Sequence, residues 1–297
     1  MQLRYGMNPH QTPAFCTPLD PQRPPLRVVH GSPSYINVLD AVAGWQLVRE
    51  AGQTFGRPAA ASVKHVSPAG AALGDTVTDA YTRARSADPK SSYGDFVAVS
   101  GPVDEPLAEL LRGVVSDGII APGYEPGVVA TLAAKKRGSY LVLEVDPSFE
   151  PPAVESREVF GLRLSEPRDA LPLTRELFPG LPAAAGDDLL FGMIVLRYTQ
   201  SNSVAYLRDG LTLGIGAGQQ SRIDCTQLAG VKASGRGPIA FVSDGALPFV
   251  DNVEEAHRHG VRYIAEPGGS IRSGDVREAC ERLGITLVQT GVRLFRH

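Results

Sequence analysis

Short apolar runs with strand-like composition alternate with amphipathic segments along most of this chain, and this alternation constrains its fold more than any other feature. The apolar runs lack the polar alternation of a half-exposed strand, so we expect both faces of each strand to be buried. Strands are predicted at residues 59–63, 96–99, 140–145, 239–242 and 285–288. One buried helix face is predicted from the helical spacing of Val38, Ala41, Val42, Trp45 and Val48. The alternation favours an α/β class.

Length and composition are those of a globular protein and exclude several classes. With 297 residues the chain is long for one core, which suggests two domains or a duplicated one. Its net charge of −3 gives no general attraction to nucleic acid or to an anionic membrane. No apolar run approaches the ~20 residues of a membrane span, and the first residues do not open a signal peptide. Because Cys16, Cys225 and Cys280 form no C-x-x-C pair, we expect a reducing compartment and a cytoplasmic enzyme.

A proline-rich stretch divides the chain into two parts. Prolines recur from residue 147 to residue 182, with only short apolar segments between them. We predict that residues 147–185 cross over between two α/β halves. The first subdomain is predicted at residues 1–150 and the second at residues 151–297.

Two adjacent residues, Lys64 and His65, follow the strand predicted at 59–63. Pro68 and Gly70 come shortly after them and predict a turn. Open α/β sheets place their chemistry at the carboxyl ends of strands, and this pair offers a cation and a titratable imidazole there. Considered alone, the pair fits catalysis and a salt-bridged lysine beside a loop histidine equally well.

Glycine and histidine patterns argue against two common cofactors. The run from Gly214 to Gln219 places a glutamine where the dinucleotide-binding fingerprint needs a glycine, so no NAD site is predicted. A glycine-rich turn that lets the backbone approach a ligand, with Arg222 close behind, is the better interpretation. None of the histidines lies in a zinc-deaminase motif, and no zinc is expected.

A short helix is predicted at residues 252–259. Asp251 stands three residues before Glu254, which fits a capping pair at the start of this helix. Gly260 fits its C-terminal cap.

Residues 199–203 read Thr-Gln-Ser-Asn-Ser, an unusual polar run. In an extended conformation Thr199, Ser201 and Ser203 share one face, and Asn202 faces the other side. Three hydroxyls and backbone carbonyls can line a monovalent-cation site. A polar edge strand explains the same pattern without a ligand, and from this segment alone we favour that interpretation.

Both ends of the chain are rich in arginine and aromatic residues. Arg4 and Tyr5 lie near the N-terminus, and Arg293 and Phe295 lie near the C-terminus. Arginine binds phosphate through two parallel hydrogen bonds, and aromatic rings stack on flat heterocycles. Together the two ends predict a site for a phosphorylated ribosyl-heterocycle.

Eight segments, running in order from one end of the chain to the other, carry a resemblance to a known family. They are LRYGMNPHQ (3–11), KHVSPAG (64–70), SSYGDFVA (91–98), VSDGIIAPGYE (115–125), YTQSNS (198–203), GIGAGQQSRI (214–223), PGGS (267–270) and RLFRH (293–297). With these segments the chain resembles the formyltransferase half of the bifunctional purine-biosynthesis enzyme, aminoimidazole carboxamide ribotide (AICAR) transformylase/inosinate (IMP) cyclohydrolase.

The resemblance implies a fold of duplicated cytidine-deaminase-like domains, with mixed sheets flanked by helices and no zinc. It implies a homodimer with active sites at the subunit interface, and no nucleic-acid or membrane partner. The implied reaction passes a formyl group from the co-substrate 10-formyltetrahydrofolate to the 5-amino group of AICAR. The family's cyclohydrolase domain normally precedes the first motif, so we expect a free-standing transformylase that needs a separate IMP cyclohydrolase.

The resemblance also implies roles for individual residues. His65 is the base that removes the amine proton, and Lys64 stabilises the oxyanion or protonates the departing folate nitrogen. Asn202 joins this catalytic group and also holds the ribotide. The other ribotide-binding positions are Arg4, Tyr5, Gly94, Asp117, Arg222, Arg293 and Phe295. The folate-binding positions are Pro248, Asp251, Asn252 and Ser270. A potassium site is implied at Leu196, Thr199, Ser201, Ser203, Asp244, Leu294 and His297.

Two departures from the family pattern concern the formyl donor. The family segment reads roughly SDAFFPFRDN, and residues 243–252 read SDGALPFVDN, so Ala246, Leu247 and Val250 replace two aromatics and an arginine. An aromatic wall for the pterin is then missing, at about 0.5–1.5 kcal/mol for each lost stacking pair. In addition, only residues 230–243 stand where the family carries a long, largely helical insert.

Three hypotheses follow for the function. The first is a folate-dependent AICAR formyltransferase. The second keeps the same or a related ribotide but uses formate and ATP, or serves specialised metabolism, although the sequence has no P-loop. The third is a non-catalytic ribotide-binding protein, which the retention of Lys64, His65 and Asn202 makes the weakest of the three.

Overall fold

The computed structural model describes residues 1–297 and contains eight α-helices and fifteen β-strands. The helices are α1 (Tyr35–Phe55), α2 (Val77–Ala87), α3 (Glu105–Gly113), α4 (Val128–Ala133), α5 (Ala183–Arg197), α6 (Arg222–Ala233), α7 (Asp251–Arg258) and α8 (Ser273–Leu283). Short 3₁₀ helices lie at Lys135–Gly138 and Arg175–Leu177. No helix combines the length and the apolar composition needed to cross a membrane.

Eleven of the strands form one mixed sheet flanked by helices. The strands are β1 (Gln2–Leu3), β2 (Ala14–Phe15), β3 (Leu26–His30), β4 (Ala59–Lys64), β5 (Ser67–Leu73), β6 (Asp95–Val99), β7 (Ser116–Ala121), β8 (Leu141–Val145), β9 (Val154–Val159), β10 (Leu162–Pro167), β11 (Val204–Arg208), β12 (Leu211–Gly216), β13 (Ala240–Ser243), β14 (Tyr263–Glu266) and β15 (Thr286–Gln289). The sheet order is β15-β14-β13-β11-β12-β5-β4-β6-β7-β8-β3, and β1–β2 and β9–β10 are separate ribbons. The predicted α/β class is confirmed, and the five predicted strands correspond to β4, β6, β8, β13 and β15.

The two sides of the large sheet repeat one order of elements. The first runs α1-β4-β5-α2-β6-α3-β7-α4-β8 and the second runs α5-β11-β12-α6-β13-α7-β14-α8-β15. In each, two antiparallel strands form a hairpin, a third strand adds antiparallel to the first, and two more add in parallel. A pairing of β5 with β12 joins the two into one sheet. The chain passes from one to the other through residues 146–182, which include the β9–β10 ribbon.

Helix α1 begins with a capping box and packs its predicted apolar face into the core. The Ser34 hydroxyl accepts a hydrogen bond from the Asn37 N–H, and the Asn37 side chain accepts one from the Ser34 N–H at 3.0 Å. The core residues on the predicted face are Ala41, Trp45 and Val48, while Val38 and Val42 are half-buried. The two polar residues at the start of the helix therefore fix where it begins, beside the candidate site.

The turn after Lys64 is shorter than predicted, because Pro68 and Gly70 lie inside strand β5. A bulge in β5, which leaves Ala69 unpaired, pairs Val63 of β4 with Pro68, and bulges are among the few places where a sheet accepts proline. Gly70 is required by packing, since a Cβ there would lie 2.2 Å from the carbonyl oxygen of Ala84 in α2. The prediction that Pro68 and Gly70 form the turn is therefore wrong.

The glycines of strand β12 also serve packing. A Cβ on Gly214 would lie 2.1 Å from the Ala229 carbonyl oxygen, and one on Gly216 would lie 2.2 Å from that of Cys225. These glycines let α6 lie close against the sheet, which differs from the expected approach of backbone to a ligand. Only Gly218, with φ of 66°, forms the turn that leads into α6.

Helix α7 begins one residue earlier than predicted. Asp251 is its first residue, Val250 occupies the N-cap, and no side chain caps the helix. The Asp251 carboxylate instead accepts the N–H of Asn252 at 2.7 Å. The predicted capping pair with Glu254 is therefore wrong, whereas Gly260 follows the helix with φ of 95°, as expected for a C-terminal cap.

Candidate active site

Strand directions bring the candidate residues to one end of the strands of the sheet. We call this end, where β4 finishes, the site edge. Strands β4, β12 and β13 end at this edge, whereas β6, β7 and β11 start from it. Helix α1 also starts there, because Asp40 in its second turn accepts the N–H of Val66. The predicted residues gathered at this edge are Lys64, His65, Gly94, Asp117, Asn202, Arg222 and Asp244.

His65 and Val66 form the turn between β4 and β5 in the left-handed backbone region, with φ of 55° and 60°. This conformation is unfavourable for a β-branched residue such as valine and costs about 1–3 kcal/mol. The Lys64 Nζ donates a hydrogen bond to the Tyr93 carbonyl oxygen at 2.6 Å, beside Gly94. His65 is exposed and has no hydrogen-bond partner within the chain. The turn therefore presents an anchored cation and an imidazole that can accept a proton.

Arg222 and Asn202 form a buried polar link at the site edge. Arg222 is 7% exposed, and its guanidinium pairs with the fully buried Asp244 carboxylate and donates to Asn202 Oδ1 at 2.6 Å. Asn202 Nδ2 donates to the carbonyl oxygens of Gln219 and Gln220 at 3.0 and 3.1 Å. All the hydrogen-bonding groups of the Asn202 amide are thus engaged, so its orientation is fixed.

The three hydroxyls at residues 199–203 are buried rather than exposed on an edge strand. Strand β11, which they precede, lies between β12 and β13, so the interpretation as a polar edge strand is wrong. Thr199 Oγ1 donates to the Val195 carbonyl oxygen at 2.7 Å, and Ser201 Oγ donates to the Asp244 carboxylate at 2.5 Å. Ser203 Oγ is buried without any hydrogen-bond partner. The Ser201–Asn202 peptide bond is cis.

Leu294 and Leu196, which were also predicted for the cation site, are connected to this segment by backbone hydrogen bonds. The Leu294 N–H donates to the Asp244 carbonyl oxygen at 2.9 Å, and the Leu196 carbonyl oxygen accepts the Thr199 N–H at 3.0 Å. His297 is exposed and its ring lies 6.1 Å from that of Phe295. The imidazole of His297 therefore lies at the surface, beside another side chain of the C-terminal segment.

Both termini reach the site edge. Arg293 stacks on the ring of Phe295 at 4.8 Å, and Phe295 packs so closely on Gly245 that a Cβ there would lie 2.6 Å from the ring. At the other end, Arg4 donates to Asn37 at the start of α1 at 3.0 Å and lies 5.4 Å from the ring centroid of Tyr5. Arg4 and Arg293 are exposed, so both guanidinium groups can meet an anion.

Asp117 is half-exposed and pairs with Lys136 at 2.6 Å. Lys136 was not among the predicted residues, and it brings a second ammonium group to the site edge. Gly94 has φ of 76°, and its N–H donates to the Val115 carbonyl oxygen at 3.0 Å. Glycine suits this left-handed position because it lacks a Cβ.

The residues predicted for the folate side are only partly available to a ligand. Asn252 is fully buried, and its Oδ1 accepts a hydrogen bond from Thr226 Oγ1 at 2.8 Å. Its Nδ2 donates to the half-buried Asp251 at 2.7 Å. Asn252 thus links α6 to α7, and Asp251 is the member of the pair that reaches the surface.

The remaining folate-side residues lie beside an aromatic ring that was not predicted. Ser270 donates to the Leu247 carbonyl oxygen at 3.1 Å, and Pro248 is half-buried. Phe249, next to Pro248, is 51% exposed, and the Arg272 guanidinium lies 5.3 Å from its ring centroid. An exposed aromatic directly after Pro248 was a signal that the sequence contained.

Asp40 is a buried carboxylate at the site edge that the sequence interpretation missed. Its Oδ1 accepts the Val66 N–H at 2.7 Å, and burial raises its pKa to about 6. His65 lowers and Asp117 raises this pKa through their charges. The signal in the sequence was a carboxylate beside Ala41, on a helix face that is otherwise apolar.

The fold and the site edge define an α/β protein with a polar candidate active site where both termini meet the central sheet. The family model "AICARFT/IMPCHase bienzyme" matches residues 1–232. "Bifunctional purine biosynthesis protein PurH" from Ruegeria sp. (strain TM1040) is 36% identical over an alignment 317 residues long, which covers 99% of this chain and 59% of that protein. The protein of the same name from Xylella fastidiosa (strain 9a5c) is 36% identical over an alignment 313 residues long, which covers 100% of this chain and 58% of that protein. The chain belongs to the AICARFT/IMPCHase bienzyme family and spans less than two thirds of the length of these relatives.

Proposed function

We propose that this chain transfers a formyl group from 10-formyltetrahydrofolate to the 5-amino group of AICAR, in one-carbon metabolism and purine biosynthesis. The observation that carries the proposal is the placement of Lys64 at the end of β4 and of His65 on the strained turn that follows, at the same sheet edge as Asn202 and Arg222. Family membership supplies the substrate class, because the relatives are named for purine biosynthesis.

The chemistry follows from Lys64 and His65. The amine of AICAR is a weak nucleophile because it is conjugated to the imidazole carboxamide. His65 takes its proton as the nitrogen bonds to the formyl carbon. Lys64 stabilises the oxyanion and protonates the folate nitrogen as its bond to that carbon breaks, which leaves formyl-AICAR and tetrahydrofolate. Proton transfer contributes about 10²- to 10⁴-fold to the rate, and fixed positioning contributes further.

The ribotide is proposed to lie between the two termini. The exposed Arg4 and Arg293 can hold its phosphate, and Tyr5 and Phe295 offer rings for its heterocycle. The polar positions proposed around the sugar and carboxamide are Gly94, Asp117, Asn202 and Arg222.

The folate is proposed to bind beside α7, with Pro248, Asp251 and Ser270 at the surface. Asn252 supports this side from inside by holding α6 against α7. Phe249 offers one exposed ring to the pterin, but the two aromatic residues of the family pattern are replaced by Ala246 and Leu247. We therefore expect weak pterin stacking and a high KM for the folate.

A potassium ion fits the buried hydroxyl row as a structural cation. Ser203 Oγ is a buried oxygen with no partner, and the Asp244 carboxylate is buried beside it. Thr199, Ser201 and the backbone around Leu196, Leu294 and His297 would complete the oxygen shell. Such an ion would add a second positive charge beside Asp244, which already pairs with Arg222, and would hold the C-terminal segment against the sheet.

The β9–β10 ribbon supports a homodimer, with the active sites proposed at the subunit interface. All twelve residues of its two strands are exposed, and the ribbon displays the apolar side chains of Val154, Val159, Phe160, Leu162 and Leu164. An isolated two-stranded ribbon is at best marginally stable in water, so these side chains need a covering surface. A second copy of this chain is the proposed cover.

The double variant Phe160→Asp/Leu162→Asp, which we call the ribbon variant, should be a monomer. Light scattering on a gel-filtration column should give twice the chain mass of 31.5 kDa for the wild type and the single mass for the variant. Leu19→Asp is the matched control, because Leu19 is 89% exposed but lies outside the ribbon. Equal masses for the wild type and the ribbon variant would refute this interface.

Several broader features belong to the same proposal. The repeated element order supports two cytidine-deaminase-like domains, divided as residues 1–150 and 151–297. The free thiols of Cys16, Cys225 and Cys280 suit the cytoplasm. Residues 1–297 carry transformylase motifs alone, so closure of the purine ring is assigned to an IMP cyclohydrolase that these residues do not form.

A comparison of formyl donors tests the function directly. Purified protein is given AICAR with either 10-formyltetrahydrofolate or formate plus ATP, and formyl-AICAR is followed by chromatography. We expect product with the folate and none with formate and ATP. Product with formate and ATP alone would favour the alternative donor, and AICAR binding without product from either would favour a ribotide-binding protein.

A further inference from the structure

A buried carboxylate supports the turn that carries His65. Asp40 is 7% exposed and lies in the second turn of α1. Its Oδ1 accepts the Val66 N–H at 2.7 Å, directly after His65. Because both turn residues adopt the left-handed region, something must hold them there, and this hydrogen bond does so from the helix side.

The other part of the sheet contains the same device without the catalytic pair. Asp188 in α5 is 1% exposed and accepts the N–H groups of Asp209 and Gly210 at 3.0 and 2.7 Å. These two residues form the turn between β11 and β12, and both have positive φ. Strand β4 ends at the site edge, whereas β11 starts there and ends at the opposite end of the sheet. This second turn therefore lies away from the site edge.

We propose that Asp40 is a positioning residue for formyl transfer, which fixes the turn so that the His65 imidazole meets the substrate amine. The inference rests on the proposed function. The related turn at Asp209 shows that a buried carboxylate can hold such a hairpin for structural reasons alone. What distinguishes Asp40 is that its turn carries the proposed base and that charges of the site act on it.

The titration of Asp40 gives the proposal a measurable signature. Burial raises its pKa to about 6, while the charged groups facing it are His65 on the turn and Asp117 at the start of β7. Protonation of the carboxylate weakens it as an acceptor for the Val66 N–H. As the pH falls through about 6, the turn should loosen and the rate should fall.

The test compares Asp40→Asn with Asp188→Asn over pH 5 to 8, with AICAR varied at saturating 10-formyltetrahydrofolate so that kcat and KM are both obtained. Both wild-type carboxylates are buried and have pKa values raised by burial to about 6, so the two changes are matched. We expect kcat of Asp40→Asn to fall about 10²-fold, the effect of a displaced catalytic group, with KM for AICAR little changed. Its rate should also fall less steeply as the pH drops through about 6, because the amide cannot take up the proton that Asp40 does, whereas Asp188→Asn should keep the wild-type kcat and pH profile.

A second variant keeps the test valid if Asp40→Asn folds poorly. Val66→Gly relieves the left-handed strain and loosens the same turn, so it should lower kcat without lowering the unfolding temperature. Adding Asp40→Asn to Val66→Gly should then have little further effect on kcat, because both act through one turn. Wild-type kcat and an unchanged pH profile in Asp40→Asn would overturn the role of Asp40. An inactive wild type would overturn the proposed function instead.

Discussion

Replacing His65 by alanine lowers kcat for formylation of AICAR by about 10²- to 10⁴-fold, the usual contribution of a positioned acid or base. The affinity for AICAR should change little, because the proposed phosphate contacts come from Arg4 and Arg293. The His65 side chain is exposed and makes no hydrogen bond within the chain, so its removal should leave the unfolding temperature unchanged. Steady-state kinetics and calorimetric titration with AICAR separate the two quantities.

A matched control for this experiment is His257→Ala, which removes another exposed histidine, from the surface of α7. It should retain wild-type kcat and AICAR affinity. If His65→Ala kept the wild-type kcat, His65 could not be the base, whatever its position on the turn. If AICAR binding were lost together with turnover, His65 would be a binding residue.

The sequence predicted five of the eleven strands of the central sheet, because these five depend on local patterns. Strands β4, β6, β8, β13 and β15 are continuous apolar runs, and the apolar face of α1 recurs at helical spacing. The placement of Lys64 and His65 after a strand also followed from the pattern. Such features need only the order of apolar and polar residues.

The details of the site could not be predicted from the sequence, because they depend on which strands and helices contact each other in three dimensions. Pro68 and Gly70 suggested a turn, but both lie in strand β5, at a bulge and against the close approach of α2. Ser203 looked like part of a polar edge, yet β11 lies inside the sheet, so its hydroxyl is buried. Asp40 meets Val66 across 26 residues of sequence, and no local pattern predicts such a contact.

Removing the Asp244 carboxylate should be the most destabilising single change at the site edge. Asp244 is fully buried, and it accepts hydrogen bonds from Arg222, Ser201 and the Ser203 N–H. Asp244→Ala leaves the buried Arg222 guanidinium without its partner. Breaking a buried ion pair in this way costs about 3–5 kcal/mol, a large part of the 5–15 kcal/mol by which such proteins are typically stable. Urea denaturation followed by circular dichroism measures this loss.

An exposed ion pair provides the control for this stability measurement. Arg112 and Glu109 lie 2.9 Å apart on α3, with side chains 60% and 52% exposed. Glu109→Ala removes a carboxylate from an arginine just as Asp244→Ala does, but it should cost less than about 1 kcal/mol because water replaces the lost partner. Similar losses for the two variants would mean that the Arg222–Asp244 pair contributes no more than a surface contact.

Asp244→Asn separates the ion pair from the proposed cation site. The amide keeps the shape and one acceptor oxygen of Asp244 but lacks the charge that would attract K⁺. If the wild type binds K⁺ at the hydroxyl row, exchanging NaCl for KCl should stabilise it by mass action, by about 2.7 kcal/mol when K⁺ is present at 100 times its Kd. The variant should be less stable in both salts and should show no difference between them, since Ser203 and its neighbours alone offer only neutral oxygens. A difference between KCl and NaCl that persisted in Asp244→Asn would place the cation elsewhere, and equal stability of the wild type in both salts would exclude a selective potassium site.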